Sequence, residues 1–187
     1  ENVQFRIVFA SDHTSTADGR EGFAFDNVRI GNRERKVLLE HFTNTSADNT
    51  REINMEVNHL YNQTFKDVIK LEYHTSFPGT DPFNQHNSSV PATRSLYYGV
   101  SGVPYSTIDG AKHFDYDPVE VDKPSLEKQS LLDASFDINV QVEQTNDQVT
   151  AEIDVTAMQD LDAGERIIHI VVFEKLITGV STVNGAT

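Results

Sequence analysis

Cysteine is absent from all 187 residues. That single absence removes disulfides, thiolate metal sites and thiol catalysis together, because each needs sulfur as a bond partner or as a thiolate. It does not decide the compartment. Positive charge is scarce as well: 15 Lys and Arg stand against 29 Asp and Glu, a formal net charge of −14. A phosphate backbone would be repelled, which excludes nucleic acid as a partner. Such acidity suits a salty exterior or a surface holding divalent cations, and a solvated acidic surface is the plainer reading. Long apolar runs are missing too. None reaches the roughly 18 residues of a membrane-spanning helix, so no membrane-spanning segment is expected.

What is present reads as an α+β chain long enough for one large domain or two small ones. Val3, Phe5, Ile7 and Phe9 alternate with polar residues, and Phe23–Ile30 follows after a polar loop, giving two strands. Two strands alone are not a stable unit. Gly31–Lys36 is polar and charged, a linker. Residues 37–42 form a third, largely apolar strand. Ile53, Val57, Leu60, Tyr61 and Phe65 then recur at helical spacing, with Asp48, Asn49 or Thr50 able to cap the start. Residues 68–73 give the next strand. His74–Pro91 is a long polar loop, Pro91–Tyr98 a short helix stopped by Gly99, and Tyr105–Ile108 a strand entering an Asp109-Gly110 turn. Pro124–Leu132 is an amphipathic helix. Beyond Ser135 the pattern becomes a β meander: 136–142, a turn at Thr145-Asn146-Asp147-Gln148, 149–155, and a third strand through 167–173.

The layout of residues 37–50 resembles the strand–loop–helix opening of a thioredoxin fold. In that family the loop carries Cys-x-x-Cys, and the matching positions here are Ala47, Asp48, Asn49 and Thr50, with Ala47 and Thr50 where the cysteines would stand. Val100-Ser101-Gly102-Val103-Pro104, leading into a strand, resembles the family's cis-proline loop, with Val103 and Pro104 as its residues. Added to Glu40-His41-Phe42-Thr43, Tyr73–Gly79 and Asp81-Pro82-Phe83, the pattern is similar to the Omp-twenty-eight-related surface proteins of Bacteroidota, a type of type IX secretion cargo. These join a thioredoxin-like domain to a following β-sandwich. Phe5–Asp12 and Glu21–Val28 resemble the final strands of a jelly-roll (MAM- or adhesin-like) module. The resemblance implies three parts: 1–33, terminal strands of a jelly roll; 34–123, a thioredoxin-like domain lacking Cys-x-x-Cys; 124–187, a linking helix and the start of a β-sandwich. Both terminal β segments are expected to complete their sheets with residues outside this chain.

Other chemistry is thin. The seven His residues show no His-x-His and no His-x-x-x-His on a helix, so loop-end hydrogen bonding outweighs metal binding for His41 and His74. Ser46 has no His–Asp pair in register for a hydrolase. Asp160–Glu165 is reminiscent of a calcium loop but lacks a ligand position, and reads as a polar turn. Asp12, Asp18, Glu21 and Asp26 surround the first loop, where jelly-roll modules sometimes hold a structural calcium; it is the one cofactor the sequence suggests. The 75–91 loop, with Phe77 and Phe83, is either functional or a self-packed lid. The expectation is a non-enzymatic, extracellular or cell-surface module for adhesion, scaffolding or binding of a protein or peptide, or of neighbouring domains of a larger parent. The competing reading is an accessory region of a secreted hydrolase whose catalytic domain lies elsewhere. A polar pocket near Ala47 and Pro104 would separate the two.

Overall fold

Strand β1 (Val37–Thr43) carries the fold because both of its faces are apolar or hydrogen-bonded inside. It pairs in parallel with β2 (Val68–His74), Val37 beside Val68 and Thr43 beside His74, and antiparallel with β3 (Tyr105–Ile108), Leu39 beside Ile108. The sheet order is β2-β1-β3. A parallel pair needs a crossover, and helix α1 (Thr50–Thr64) supplies it. These relations come from a computed structural model that describes residues 6–8, 35–64, 66–111, 121–175 and 177.

Contacts divide the chain after Gly31. Of the first unit only 6–8 is described, without regular secondary structure. The strands expected at 3–9 and 23–30, and the carboxylates Asp12, Asp18, Glu21 and Asp26, otherwise lie outside the described residues.

Alternation along β1 sends two sets of side chains to two layers. On one face Val37 and Leu39 join Val68, Val57 of α1 and Leu126 of α4 (Lys123–Ser130), with Ile53, Leu60, Tyr61, Ile108 and Val121 around them. Helix α4 thus packs into this core rather than merely linking two parts. Its start is set by Asp122, which accepts from Ser125 N, and by a proline in the first turn. On the other face Phe42 stacks on Tyr73 with ring centroids 5.0 Å apart and meets Tyr98 edge-on at 5.9 Å. Leu71, Leu38, Val100, Val103 and Tyr105 complete that cluster. Tyr98 belongs to helix α3 (Ser89–Tyr98), which ends where Gly99 adopts φ +71° and donates to Leu96 O. That left-handed turn is open to glycine at little cost.

The 74–91 segment contains helix α2 (Pro82–His86), so it is shorter as a loop than its polarity suggests. Strands β4 (Phe136–Thr145) and β5 (Gln148–Ala157) form an antiparallel hairpin, closed by Asn146-Asp147 with Asn146 at φ +52°. The third meander strand is not formed. Residues 167–173 carry no regular structure, although they are β-branched and apolar. Strand propensity needs a ladder to be realised, and this segment has none among the described residues.

Candidate functional site

The loops that leave β1 and β2 meet where the resemblance places the degenerate redox site. Asn44, fully buried, organises the meeting. Its Nδ2 donates to Thr75 O at 2.7 Å and to Gly79 O at 2.8 Å. Its Oδ1 accepts from Ser46 N at 2.7 Å, an Asx turn, and its carbonyl accepts from Ala47 N and from Thr50 Oγ1. Thr50 is therefore buried at the head of α1, Ala47 is half-buried, and Asp48 and Asn49 are exposed. Asn49 has φ +56°.

Asp81 clamps the same place from the other side. Its carboxylate accepts from Thr45 N (2.7 Å), from Phe83 N and Asn84 N at the head of α2, and from His74 Nδ1 (3.0 Å). Ser46 Oγ donates to Thr80 O, and a Cβ on Gly79 would stand 2.9 Å from Ser46 Cβ. The 75–81 segment thus lies directly on the 44–47 loop. Burial pulls the His74 pKa down, but its bonds to Asp81 and Glu72 outweigh this and raise it to about 9. Burial pushes Glu72 up, and His74 and Lys70 more than offset that, bringing it to about 2. Asp81 is lowered against the cost of burial by His74 and the amides of Thr45 and Asn84. At neutral pH this is a charged triad of two carboxylates around one imidazolium. The Val103–Pro104 bond is cis, as is Phe77–Pro78. Pro104 is buried and Val103 packs on the Phe42 cluster.

Beneath α1 runs a second polar chain. Ser106 Oγ lies 2.8 Å from His41 Nδ1, and His41 Nε2 lies 2.9 Å from Asn54 Oδ1, which also accepts from Thr43 Oγ1. Asn54 as acceptor places the proton on Nε2, so Ser106 donates to Nδ1. The order hydroxyl–imidazole–amide matches a nucleophile, base and orienting group. Ser106 and His41 are 0% and 1% exposed, however, so no substrate reaches them. Burial holds the His41 pKa down, the hydrogen bond it donates to Asn54 only partly opposing it. This is a satisfied core chain, not a catalytic one. His41 and His74 keep separate partners, and among the described residues no group of three or more His, Asp or Glu could hold a metal ion.

On the opposite sheet face Glu40, 0% exposed, accepts from Arg94 Nε at 2.7 Å and Nη2 at 2.9 Å, a bidentate pair. Tyr98 donates to the same carboxylate at 2.5 Å. Burial and the Glu40 charge push Tyr73 up to about 12 and Tyr98 higher still. The sequence motifs include Glu40 and Asp81 but give neither the part Asn44 and Asp81 play in holding the loop nor the pairing of Glu40 with Arg94. Asp81-Pro82, a cap followed by proline, is a signal that could have found the start of α2 inside the expected loop; Glu40 and Arg94 are 54 residues apart and become neighbours only through the fold.

No family model matches the chain, and no curated protein matches it. Among solved structures, HBP35 of Porphyromonas gingivalis superposes with a TM-score of 0.54 at 14% identity, over 68% of this chain and 44% of that one. Protein AGR_C_4864 of Agrobacterium tumefaciens aligns with a TM-score of 0.44 at 20% identity, over 64% of this chain and 56% of its own. The chain thus spans less than half the length of HBP35. The likeness to HBP35, with the β2-β1-β3 sheet and its two helical layers, defines a thioredoxin-like fold. Among the described residues no helix is long and apolar enough to cross a membrane.

Proposed function

We propose that this chain is a redox-inactive, non-enzymatic thioredoxin-like module of an extracellular or cell-surface protein. It serves adhesion, scaffolding or the binding of a protein or peptide partner, or of neighbouring domains of a larger parent. The observation that supports this best is the architecture of the former redox loop. Two side chains with no redox chemistry, Asn44 and Asp81, hold the loop between β1 and α1 in place. A scaffold kept in order without its thiols is useful for shape rather than for electron transfer. The proposal extends to the flanks: residues 1–33 as the last strands of a jelly roll, and the β4–β5 hairpin as the opening of a β-sandwich. Calcium at Asp12, Asp18, Glu21 and Asp26 belongs to the same proposal.

The test is insulin reduction with a dithiol reductant. The pure chain is expected to leave the uncatalysed rate unchanged, and turnover would overturn the reading. Calcium titration followed by calorimetry tests the cation separately; absence of binding heat removes it without touching the redox claim.

A further inference from the structure

A distant part of the same chain lies near the sheet face that α3 leaves uncovered, with both sides still largely exposed. A cavity of about 240 Å³ lies between Leu38, Ile69, Leu71 and Tyr73 on the sheet side and His169, Val171 and Phe173 on the other. A second, of about 340 Å³, continues between Tyr73, Arg94 and Tyr97 and the stretch His169–Val171. Residues 169, 171 and 173 line the first cavity in alternation, as an extended chain does along a surface, and Ile170 joins them at the second. The sequence Ile167-Ile168-His169-Ile170-Val171-Val172-Phe173 is rich in β-branched residues, which favour that conformation. The first cavity is lined by Leu38 and Glu40 of β1 as well as by Ile69, Leu71 and Tyr73 of β2, so the segment lies over the face of the sheet. The seating is incomplete: Ile69 is 46% exposed, Val171 44% and Phe173 60%.

We propose that residues 167–173 form an intramolecular strap that closes on the groove between β2 and α3. Its occupant is this chain's own segment. Closure buries Ile69, Val171 and Phe173 against one another and excludes water from the mouth of the Glu40–Arg94 pair, with His169 at the polar end. The strap occupies a face remote in role from the former redox loop and stands independently of the redox-inactive reading. It also gives 167–173 a partner other than the β4–β5 hairpin, the third-strand role its sequence suggests.

The natural absence of cysteine makes the test clean. In Ile69→Cys/Val171→Cys, a short bis-maleimide should link the two positions within one molecule. The rate should be about tenfold above that of Ile138→Cys/Val171→Cys, because the strap raises the local thiol concentration. A rate equal to or below that of the hairpin pair would place the segment on β4–β5 and overturn the strap. Links formed chiefly between molecules would overturn it as well, since the occupant would be a second copy. Hydrogen exchange on the cysteine-free chain gives an independent reading. Amides of 169–173 should exchange more slowly than in a free peptide, and Ile69→Asp should abolish that protection while the amides of α1 keep theirs. Exchange at the free-peptide rate, or protection that survives Ile69→Asp, would overturn the proposal.

Discussion

Strands β1 and β4 both carry apolar side chains, yet Val37, Leu39 and Phe42 are 0% exposed while Ile138, Val140 and Val142 are 51–61% exposed. The difference is not in the strands but in what stands above and below them. β1 has α1 and α4 on one face and α3 on the other, and its polar members Glu40 and His41 find partners on those same layers. In the hairpin, Ile138 pairs with Val155 and Val140 with Ile153, which gathers one apolar face and leaves the other to Asp137, Asn139, Gln141, Glu152 and Asp154. Alternation sorts side chains to faces; only a second layer removes a face from water.

The sharpest way to break this contrast is truncation on each side. Phe42→Ala should cost about 3–5 kcal/mol in urea unfolding, through lost transfer energy and a cavity between Tyr73 and Tyr98. Val140→Ala, on the exposed face, should cost less than about 0.5 kcal/mol. A comparable loss at Val140 would mean that the hairpin face is covered, and the contrast would fail.

Next in size is the buried pair. Glu40→Ala leaves the Arg94 guanidinium without its bidentate partner, and unfolding should become easier by about 3 kcal/mol. The Arg94→Ala/Glu40→Ala double variant should lose less than the sum of the two single losses, because the two residues act as one unit.

The charged clamp at the head of α2 predicts a pH dependence on the order of 2 kcal/mol. His74 is raised from 6.5 to about 9, so its contribution is complete below pH 6.5 and lost as pH climbs through 9. Glu72 is lowered from 4.5 to about 2, so its contribution is complete above pH 4.5 and lost as pH falls toward 2. The clamp is therefore whole between pH 4.5 and 6.5. His74→Gln should flatten the alkaline side of the stability profile; an unchanged profile would remove His74 from the clamp.

A smaller loss is expected at the loop contact. Gly79→Ala brings a methyl group to 2.9 Å from Ser46 Cβ and should cost about 1 kcal/mol. Ser46→Gly in the same chain should recover most of it. Without recovery, the two loops are not in the contact described.

Much of the fold was legible along the chain. Helical spacing from Ile53 to Tyr61 gave α1, Gly99 ended α3, and the Asn146 turn set the β4–β5 register, because each depends on neighbours a few residues away. Helix α2 was hidden in a polar loop, since five residues are too few for a periodic pattern to show. The third meander strand expected at 167–173 does not form, because β-branched composition reports a preference for extended backbone and says nothing of which edge accepts it.

The sequence by itself determined that no thiol chemistry occurs here, since a residue type absent from the chain cannot be supplied by folding. It also determined which side chains share a face, because the strand period is two. Only the tertiary structure decided that Asn44 and Asp81 clamp the loop between β1 and α1, that Ser106 and His41 are sealed from solvent, and that Glu40 meets Arg94. Those outcomes join residues 31 to 65 positions apart, where pairing is set by how the α1 crossover and the α3 layer pack on one sheet, and no local pattern along the chain encodes such a meeting.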